Sequence, residues 1–426
     1  MKIALIVQRY GSNVIGGSET LARQYAHLLS CHGEVEVLTT CAIDHISWRN
    51  HYASRLDVDG PIVVKRFPVD AERGQAWGRL FGTLQASLDM RRFHRAPDMK
   101  QDLARRLTRW PRALQEETIR QQGPYSTPLF DYLAHQQNAY DAFIFFAYLF
   151  PTTYFGMRLV PAARTIICPT LHDEPLAYLP IFRQVFQQPR CLLFLSRAER
   201  NTARDLFGDI AAHEIIGMTC QNIMDAGLLP PGTPARYILY AGRIEEYKGV
   251  GELLDHFRAF KRRTRSPLKL VFIGKEIMAL PPHPDIVYFG FVNEAEKAAL
   301  MRNAVALVHP SPYESFSIVL LEAFHQGTPV LVNGYSPALV EHCQHSGAGL
   351  IYHNQQEFIA GLRHLETSPE SRQAMGQRGL RYVVEHFDPQ TVARRLRAVI
   401  EQLDSASPRF TERSFAEERY QAWSQS

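Results

Sequence analysis

The chain has 426 residues, 46% of them hydrophobic and 11% aromatic, which is material for two or three domains with full cores. A formal net charge of +4 falls far short of the basic footprint of a nucleic-acid binder, and no apolar stretch approaches the ~18 uncharged residues of a membrane span. The six cysteines are scattered without a C-x-x-C pair, which argues against a disulfide frame or a zinc site and predicts reduced core thiols in the cytoplasm.

The N-terminus, MKIALIVQRYG, carries one Lys and a short apolar run from Ile3 to Val7. That is too short for a signal peptide and reads as a buried first strand over 2–8. Loop RYGSNVIGGSE follows, then a helix in which Leu21, Tyr25, Leu28 and Leu29 recur at helical spacing, with Gly33 past its end. Near-continuous apolar runs then predict strands at 34–40, 62–67, 141–147, 164–170 and 191–196, the pattern of parallel strands buried on both faces. The second half repeats the scheme. Strands are expected at 236–242, 268–274, 286–291, 304–310 and 329–333, with helices between them. Alternating strands and helices predict two doubly wound α/β domains, 1–218 and 219–405, with a hinge in the irregular segment 217–236. Ligands of such domains sit beyond the carboxyl ends of the strands, so two facing sheets predict a site in a cleft between them.

The pattern breaks over about 71–135, which reads as a helical insertion. Across 72–122, ten Arg and one Lys face six acidic residues, an excess of five positive charges that exceeds the net charge of the whole chain. A solvated helical surface accounts for this; a face that meets anionic lipid or a phosphate-bearing acceptor is the sharper alternative.

The chemistry-bearing stretches lie at strand ends. In HPSPYESFSIVLLEA, Glu314 and Glu322 stand eight positions apart. On one helix they would lie ~12 Å apart along the axis and could share neither a proton nor a metal. Placing Glu314 in the loop, with Ser315 or Ser317 as the cap, sets a helix N-terminus between the carboxylates. Such an end suits a phosphate or diphosphate, and hydroxyl-rich groups on both sides suit a nucleotide-sugar. A solvated pair of helix glutamates is the plainer reading, but Leu320, Leu321 and Ala323 argue against free exposure of Glu322. AGRIEEYKG places Gly242, Arg243 and Lys248 after a strand, where two cations can neutralise a diphosphate leaving group. Glu245 and Glu246 can also simply pair with them. In the first half, Gly16 and Gly17 permit close backbone approach to a ligand, and PTLHDEP sets His172 at a strand end beside Asp173 and Glu174. The loop after the first strand matches neither G-x-G-x-x-G nor a P-loop. Asp57 and Asp59, in DVD, are spaced like metal-binding carboxylates but read as a hairpin turn, so no metal site is expected.

GGSE (16–19), HDE (172–174), GRIEEYKG (242–249), HPSPYESFSIVLLEA (309–323) and GTPVLV (327–332) together resemble the retaining glycosyltransferases of family 4, the glycosyl transferases group 1. The resemblance implies the GT-B fold, two facing Rossmann-like domains, and a last helix over 406–426 that crosses back to the first. It implies that Arg243 and Lys248 bind the donor diphosphate, Glu322 the ribose hydroxyls and Glu314 the hydroxyls of the transferred sugar. Backbone amides at Phe316, Ser317 and Ile318 would position sugar and phosphate, Gly16, Gly17 and Gly242 would lie near the donor, and His172 near the reacting sugar. Family members often carry Gly where this chain has Ser317. The implied activity is metal-independent sugar transfer, with retention, from a UDP- or GDP-sugar to a carbohydrate or lipid-linked acceptor in cell-surface polysaccharide or glycolipid assembly. The nucleotide-sugar is a co-substrate, and no cofactor is expected. A cytoplasmic protein, peripheral at the inner face of the membrane through 72–122, fits this picture. An epimerase or hydrolase of the same fold, or a non-catalytic nucleotide-sugar-binding subunit, are the alternatives.

Overall fold

The computed structural model describes residues 1–14, 16–86, 88–220 and 227–404. The chain divides into two compact units, one of residues 1–89, 96–218 and 392–426, the other of residues 90–95 and 219–391. The expected helix over 406–426 lies outside the described residues, as does 221–226 of the expected hinge.

The first unit is built on an eight-stranded sheet. Its strands are β1 (Lys2–Val7), β2 (Glu34–Thr40), β3 (Leu56–Asp59), β4 (Ile62–Phe67), β5 (Ala142–Phe146), β6 (Thr165–Cys168), β7 (Cys191–Phe194) and β8 (His213–Ile215). They lie in the order β3-β4-β2-β1-β5-β6-β7-β8, all parallel except the β3–β4 pair. β1 and β5 are buried along almost their whole length, which is why their sequences read as unbroken apolar runs. The helix Gly17–Ser30 presents Leu21, Ala22, Tyr25, Ala26 and Leu29 to this sheet as one face. The DVD stretch is more than a turn. Asp57 and Asp59 sit within β3, which pairs antiparallel with β4, and Asp59 accepts hydrogen bonds from Arg23 (2.8 Å) and Tyr10 (3.0 Å).

The second unit has a six-stranded, all-parallel sheet: β9 (Tyr237–Ala241), β10 (Lys269–Ile273), β11 (Ile286–Tyr288), β12 (Leu307–His309), β13 (Val330–Asn333) and β14 (Gly349–Tyr352), in the order β11-β10-β9-β12-β13-β14. Its core packs Ile238, Phe257, Phe260, Leu270, Phe272 and Leu331 between sheet and helices.

In each sheet the chain leaves one central strand in one direction and later returns to its other side. The reversal falls between β1 and β5 in the first unit and between β9 and β12 in the second. Loops that diverge at such a switch point open a crevice beyond the strands' carboxyl ends.

Two departures from the sequence reading concern the units' extent. The reading keeps the chain to 405 in the second domain, whereas residues 392–404 group with the first, where Arg395 donates to the Ile216 carbonyl (3.2 Å). The insertion folds as helices Gln75–Gln85, Pro97–Leu107, Arg112–Gln122 and Thr127–Gln136, but its residues 90–95 belong to the second unit. There Arg91 pairs with Glu246 (2.8 Å) and Arg95 with Glu252 (3.6 Å). Among the described residues, ion pairs engage seven of the insertion's eleven cations, so much of its apparent excess charge is already matched. None of the described helices is long and apolar enough to cross a membrane.

Candidate active site

The second unit brings most of the candidate residues to its switch point. β9 ends at Ala241 and delivers Gly242, Arg243 and Lys248 in the loop that follows; β12 ends at His309 and delivers Glu314. Gly249 lets the two loops meet. Its φ is +74°, and a Cβ there would stand 2.4 Å from the Pro310 carbonyl oxygen, so only glycine can follow Lys248 at this distance. Lys248 Nζ consequently reaches Glu314 Oε1 at 2.7 Å, and His309 Nε2 lies 3.7 Å from the same oxygen. Arg243 pairs instead with Glu245 (3.1 Å), and the Tyr240 hydroxyl donates to the Arg243 carbonyl (2.5 Å).

Electrostatics follow from these distances. Burial works to raise the pKa of Glu314, but Lys248 and His309 beside it prevail and hold it at about 2, so it stays an anion. Burial pushes His309 down to about 4, leaving a neutral imidazole at pH 7.

After Glu314 the chain turns through buried Phe316, which packs edge-on against His342 and Phe387, with centroids 4.9 and 5.3 Å away. The helix Ile318–His325 starts next. Ser317 occupies its cap position but makes no capping hydrogen bond, which corrects the expectation of a side-chain cap from Ser315 or Ser317. The reason is backbone geometry. Ser317 has φ +77°, a left-handed conformation that favours glycine, and its hydroxyl is buried without a partner among the described residues. The first-turn amides, which no intrahelical acceptor can reach, are left without a side-chain cap.

Glu322 lies further along the helix, half-buried, and accepts from Lys297 Nζ (2.8 Å), which also pairs with Glu294 (2.7 Å). Burial raises the pKa of Glu322 against the pull of Lys297. Lys297 escaped the sequence reading because it stands 25 residues earlier, on the helix Glu294–Asn303, with no local motif to mark it. Tyr313 and Tyr247, one from each loop, meet at a 34° tilt with centroids 5.0 Å apart and were also missed.

The remaining candidates lie on the first unit. Gly16 caps the helix Gly17–Ser30, and a side chain there would collide with Glu19, whereas Gly17 has open space. His172 Nδ1 lies 3.6 Å from Glu174, which also accepts from the Tyr148 hydroxyl (3.0 Å), and Asp173 is held by Lys100 (2.5 Å) and Tyr178 (2.7 Å).

Residues 221–402 match the family described as glycosyl transferases group 1. An uncharacterized glycosyltransferase of Methanocaldococcus jannaschii is 35% identical over 135 residues, 29% of this chain and 34% of that protein. The chain spans between about a third and about a half of the length of the curated relatives it matches. Among solved structures, sucrose-phosphate synthase from Thermosynechococcus elongatus superposes with a TM-score of 0.67 at 17% identity, covering 95% of this chain and 100% of that one. HepE of Anabaena, solved in complex with UDP and glucose, superposes with a TM-score of 0.64 at 14% identity, covering 94% and 100%. The fold is that of the GT-B glycosyltransferases, and the segment that carries Arg243, Lys248, Glu314 and Glu322 lies within the stretch that matches the group 1 family.

Proposed function

We propose that the protein transfers a sugar from a nucleotide-sugar to a hydroxyl acceptor with retention of anomeric configuration, in cell-surface polysaccharide or glycolipid assembly. One observation carries the reading: loops from both sides of the switch point converge as a part-buried Lys248–Glu314 pair beside an uncapped helix start, with Glu322 further along that helix.

The donor's diphosphate replaces Glu314 as the partner of Lys248 and takes the free amides of Ser317 and Ile318, with Phe316 fixing the turn before them. Negative charge that grows on the leaving diphosphate is met by Arg243, Lys248 and the positive end of the helix, aimed there before the reaction begins. Glu314, an anion in the free protein, accepts hydrogen bonds from the sugar hydroxyls, and Glu322 accepts from the ribose. The acceptor hydroxyl attacks the oxocarbenium-like sugar from the face the diphosphate leaves, which retains configuration. Charge neutralisation by side chains makes a metal unnecessary in this scheme. Gly16, Gly17, Gly242 and His172 keep the roles that the resemblance implies.

A thermal-shift panel of UDP, GDP and ADP, with and without chelator, on wild type and Glu322→Ala tests the proposal. One nucleotide stabilising the wild type without metal, but not the variant, is expected; no shift from any of them refutes it. Product formed from donor alone would instead favour an epimerase or hydrolase. Peripheral contact with a membrane through residues 72–122 belongs to the same proposal. Flotation with anionic vesicles at low salt checks it, and absence of binding removes it.

A further inference from the structure

The first unit holds an arginine built into an aromatic clamp. Arg73 follows β4 in the loop that opens the insertion. Its guanidinium carbon lies 5.2 Å from the ring centroid of Trp48 and 5.3 Å from that of Trp77. Its backbone amide donates to the Ser47 carbonyl (2.7 Å) and its Nε to the Gln122 carbonyl (2.8 Å). The same carbonyl accepts from Trp48 Nε1 (2.6 Å), so one oxygen fixes both the arginine and the ring beneath it. Trp48 is itself 1% exposed, held edge-on by Phe150 (5.7 Å) and faced by Arg9 (5.7 Å).

What this clamp lacks is a counter-ion. Among the described residues no carboxylate lies within ion-pairing distance of Arg73, and its two terminal nitrogens make no hydrogen bond. The acid that acts on it through space, Asp44, spends its oxygens on the Ile46 and Ser47 amides and the Ser47 hydroxyl. Neighbouring Glu72 is paired with Arg49 (3.0 Å). Arg73 is half-buried, and burial pushes it down to about 10 against the more distant pull of Asp44. A guanidinium oriented in this way, with two terminal donors unbonded to protein, fits a phosphate or carboxylate bidentately. Arg73 also sits past the carboxyl end of β4, and Trp48 past that of β2, on the side where this fold class takes ligands.

We propose that Arg73 anchors an oxyanion subsite that reads the phosphate or carboxylate of an acidic sugar acceptor. The word acceptor rests on the transfer reaction proposed above; the anion site does not. Trp77, half-buried and stacked on Phe81 (4.8 Å), walls the subsite on the side opposite Trp48.

Thermal-shift titrations with potassium phosphate against potassium chloride at equal ionic strength test this on wild type, Arg73→Gln and Arg73→Lys. A phosphate-specific stabilisation is expected in the wild type, weakened at least tenfold in apparent affinity by Arg73→Gln and about fivefold by Arg73→Lys, which keeps the charge but loses the fork. Equal responses to the two salts, or equal phosphate affinity in wild type and Arg73→Lys, overturn the site, and the second comparison holds even if Arg73→Gln does not fold. Glucose 6-phosphate, glucuronate and phosphatidylglycerol vesicles then distinguish the sources. Arg73-dependent binding of either sugar acid indicates a soluble acceptor, and Arg73-dependent flotation indicates a lipid-linked one. A UDP or GDP shift unchanged by Arg73→Gln is expected. An Arg73-dependent phosphate response without any nucleotide response would overturn the acceptor assignment and leave the anion site standing.

Discussion

The two units share a core topology and hold charge in different ways. In the second, the candidate cations are tied to carboxylates, Lys248 to Glu314 and Lys297 to Glu322, at 2.7 and 2.8 Å. In the first, Arg9 is tied to Glu19, but Arg73 rests on two indole rings with no carboxylate partner among the described residues. A paired cation must exchange its partner when an anionic ligand arrives, whereas a clamped one only gains. Under the proposed reaction, the difference suits one unit that releases a diphosphate and another that only has to hold the acceptor.

The sharpest way to break the comparison is to separate the pair's structural role from its chemical one. Lys248→Ala should lower turnover by ~10²–10³-fold, the usual loss for a group that meets charge developing in the transition state. It should also cost ~2 kcal/mol of stability, because half-buried Glu314 loses its nearest cation. Urea denaturation of the Lys248→Met/Glu314→Gln double variant should recover most of that stability while activity stays low. Recovery of both would make the pair a purely structural device.

Lys297→Met comes next. Glu322 is faced by Lys297, by Glu294 on the same helix as Lys297, and by Cys220, whose thiol burial raises to about 12 and keeps neutral. Burial already raises Glu322, so loss of Lys297 pushes it higher still. If the carboxylate is what accepts from the ribose, affinity for the nucleotide falls as pH drops through that pKa, and the variant's fall begins at higher pH than the wild type's. At pH 7 a ~10-fold loss is expected, the size of one charge-assisted hydrogen bond. Calorimetric titration from pH 6 to 8 checks it; parallel profiles would reduce Lys297 to packing.

How much of this is legible in the sequence depends on how local each constraint is. The parallel strands declare themselves because burial on both faces leaves unbroken apolar runs, and Arg243, Lys248 and Glu314 do because strand-end loops keep their motifs contiguous. Lys297 stays hidden because it meets Glu322 only through the docking of two helices. The insertion reads as free positive surface because the partners of Arg91 and Arg95, Glu246 and Glu252, lie some 150 residues along the chain. Asp57 and Asp59 read as a turn because a four-residue edge strand carries too little pattern. At Ser317 the cap position is legible, whereas the positive φ that turns its hydroxyl away from capping is not.

A further contrast separates the units by pH. In the second, burial depresses His309 and His342 to about 4. The unfolded chain takes up those protons first, so the stability these imidazoles contribute is full above pH 6.5 and lost as pH falls toward 4, by up to ~3 kcal/mol each. In the first, burial raises Glu214 to about 7. Its contribution runs the other way, full below pH 4.5 and lost as pH rises through 7, by ~2 kcal/mol once partial solvent exposure is allowed for. Hydrogen exchange followed by mass spectrometry from pH 5 to 7.5 should therefore show the second unit loosening on acidification, and Glu214→Gln should tighten the first most at the high end. Both units moving together would mean that the chain unfolds as one cooperative body.

The smallest effect expected is also the one that tests the helix start most directly. Ser317→Gly removes a left-handed serine and a buried hydroxyl without a partner among the described residues, and should stabilise by ~1 kcal/mol after the extra entropy of glycine in the unfolded chain is subtracted. A shift in urea midpoint measures it. If the ligand is held by the backbone amides, nucleotide-sugar affinity should stay within about twofold, since the amides remain. A loss of affinity together with the gain in stability would assign the hydroxyl to the ligand. The strain at Ser317 would then be retained for binding, and the second unit would carry, like the first, one polar group kept waiting for its substrate.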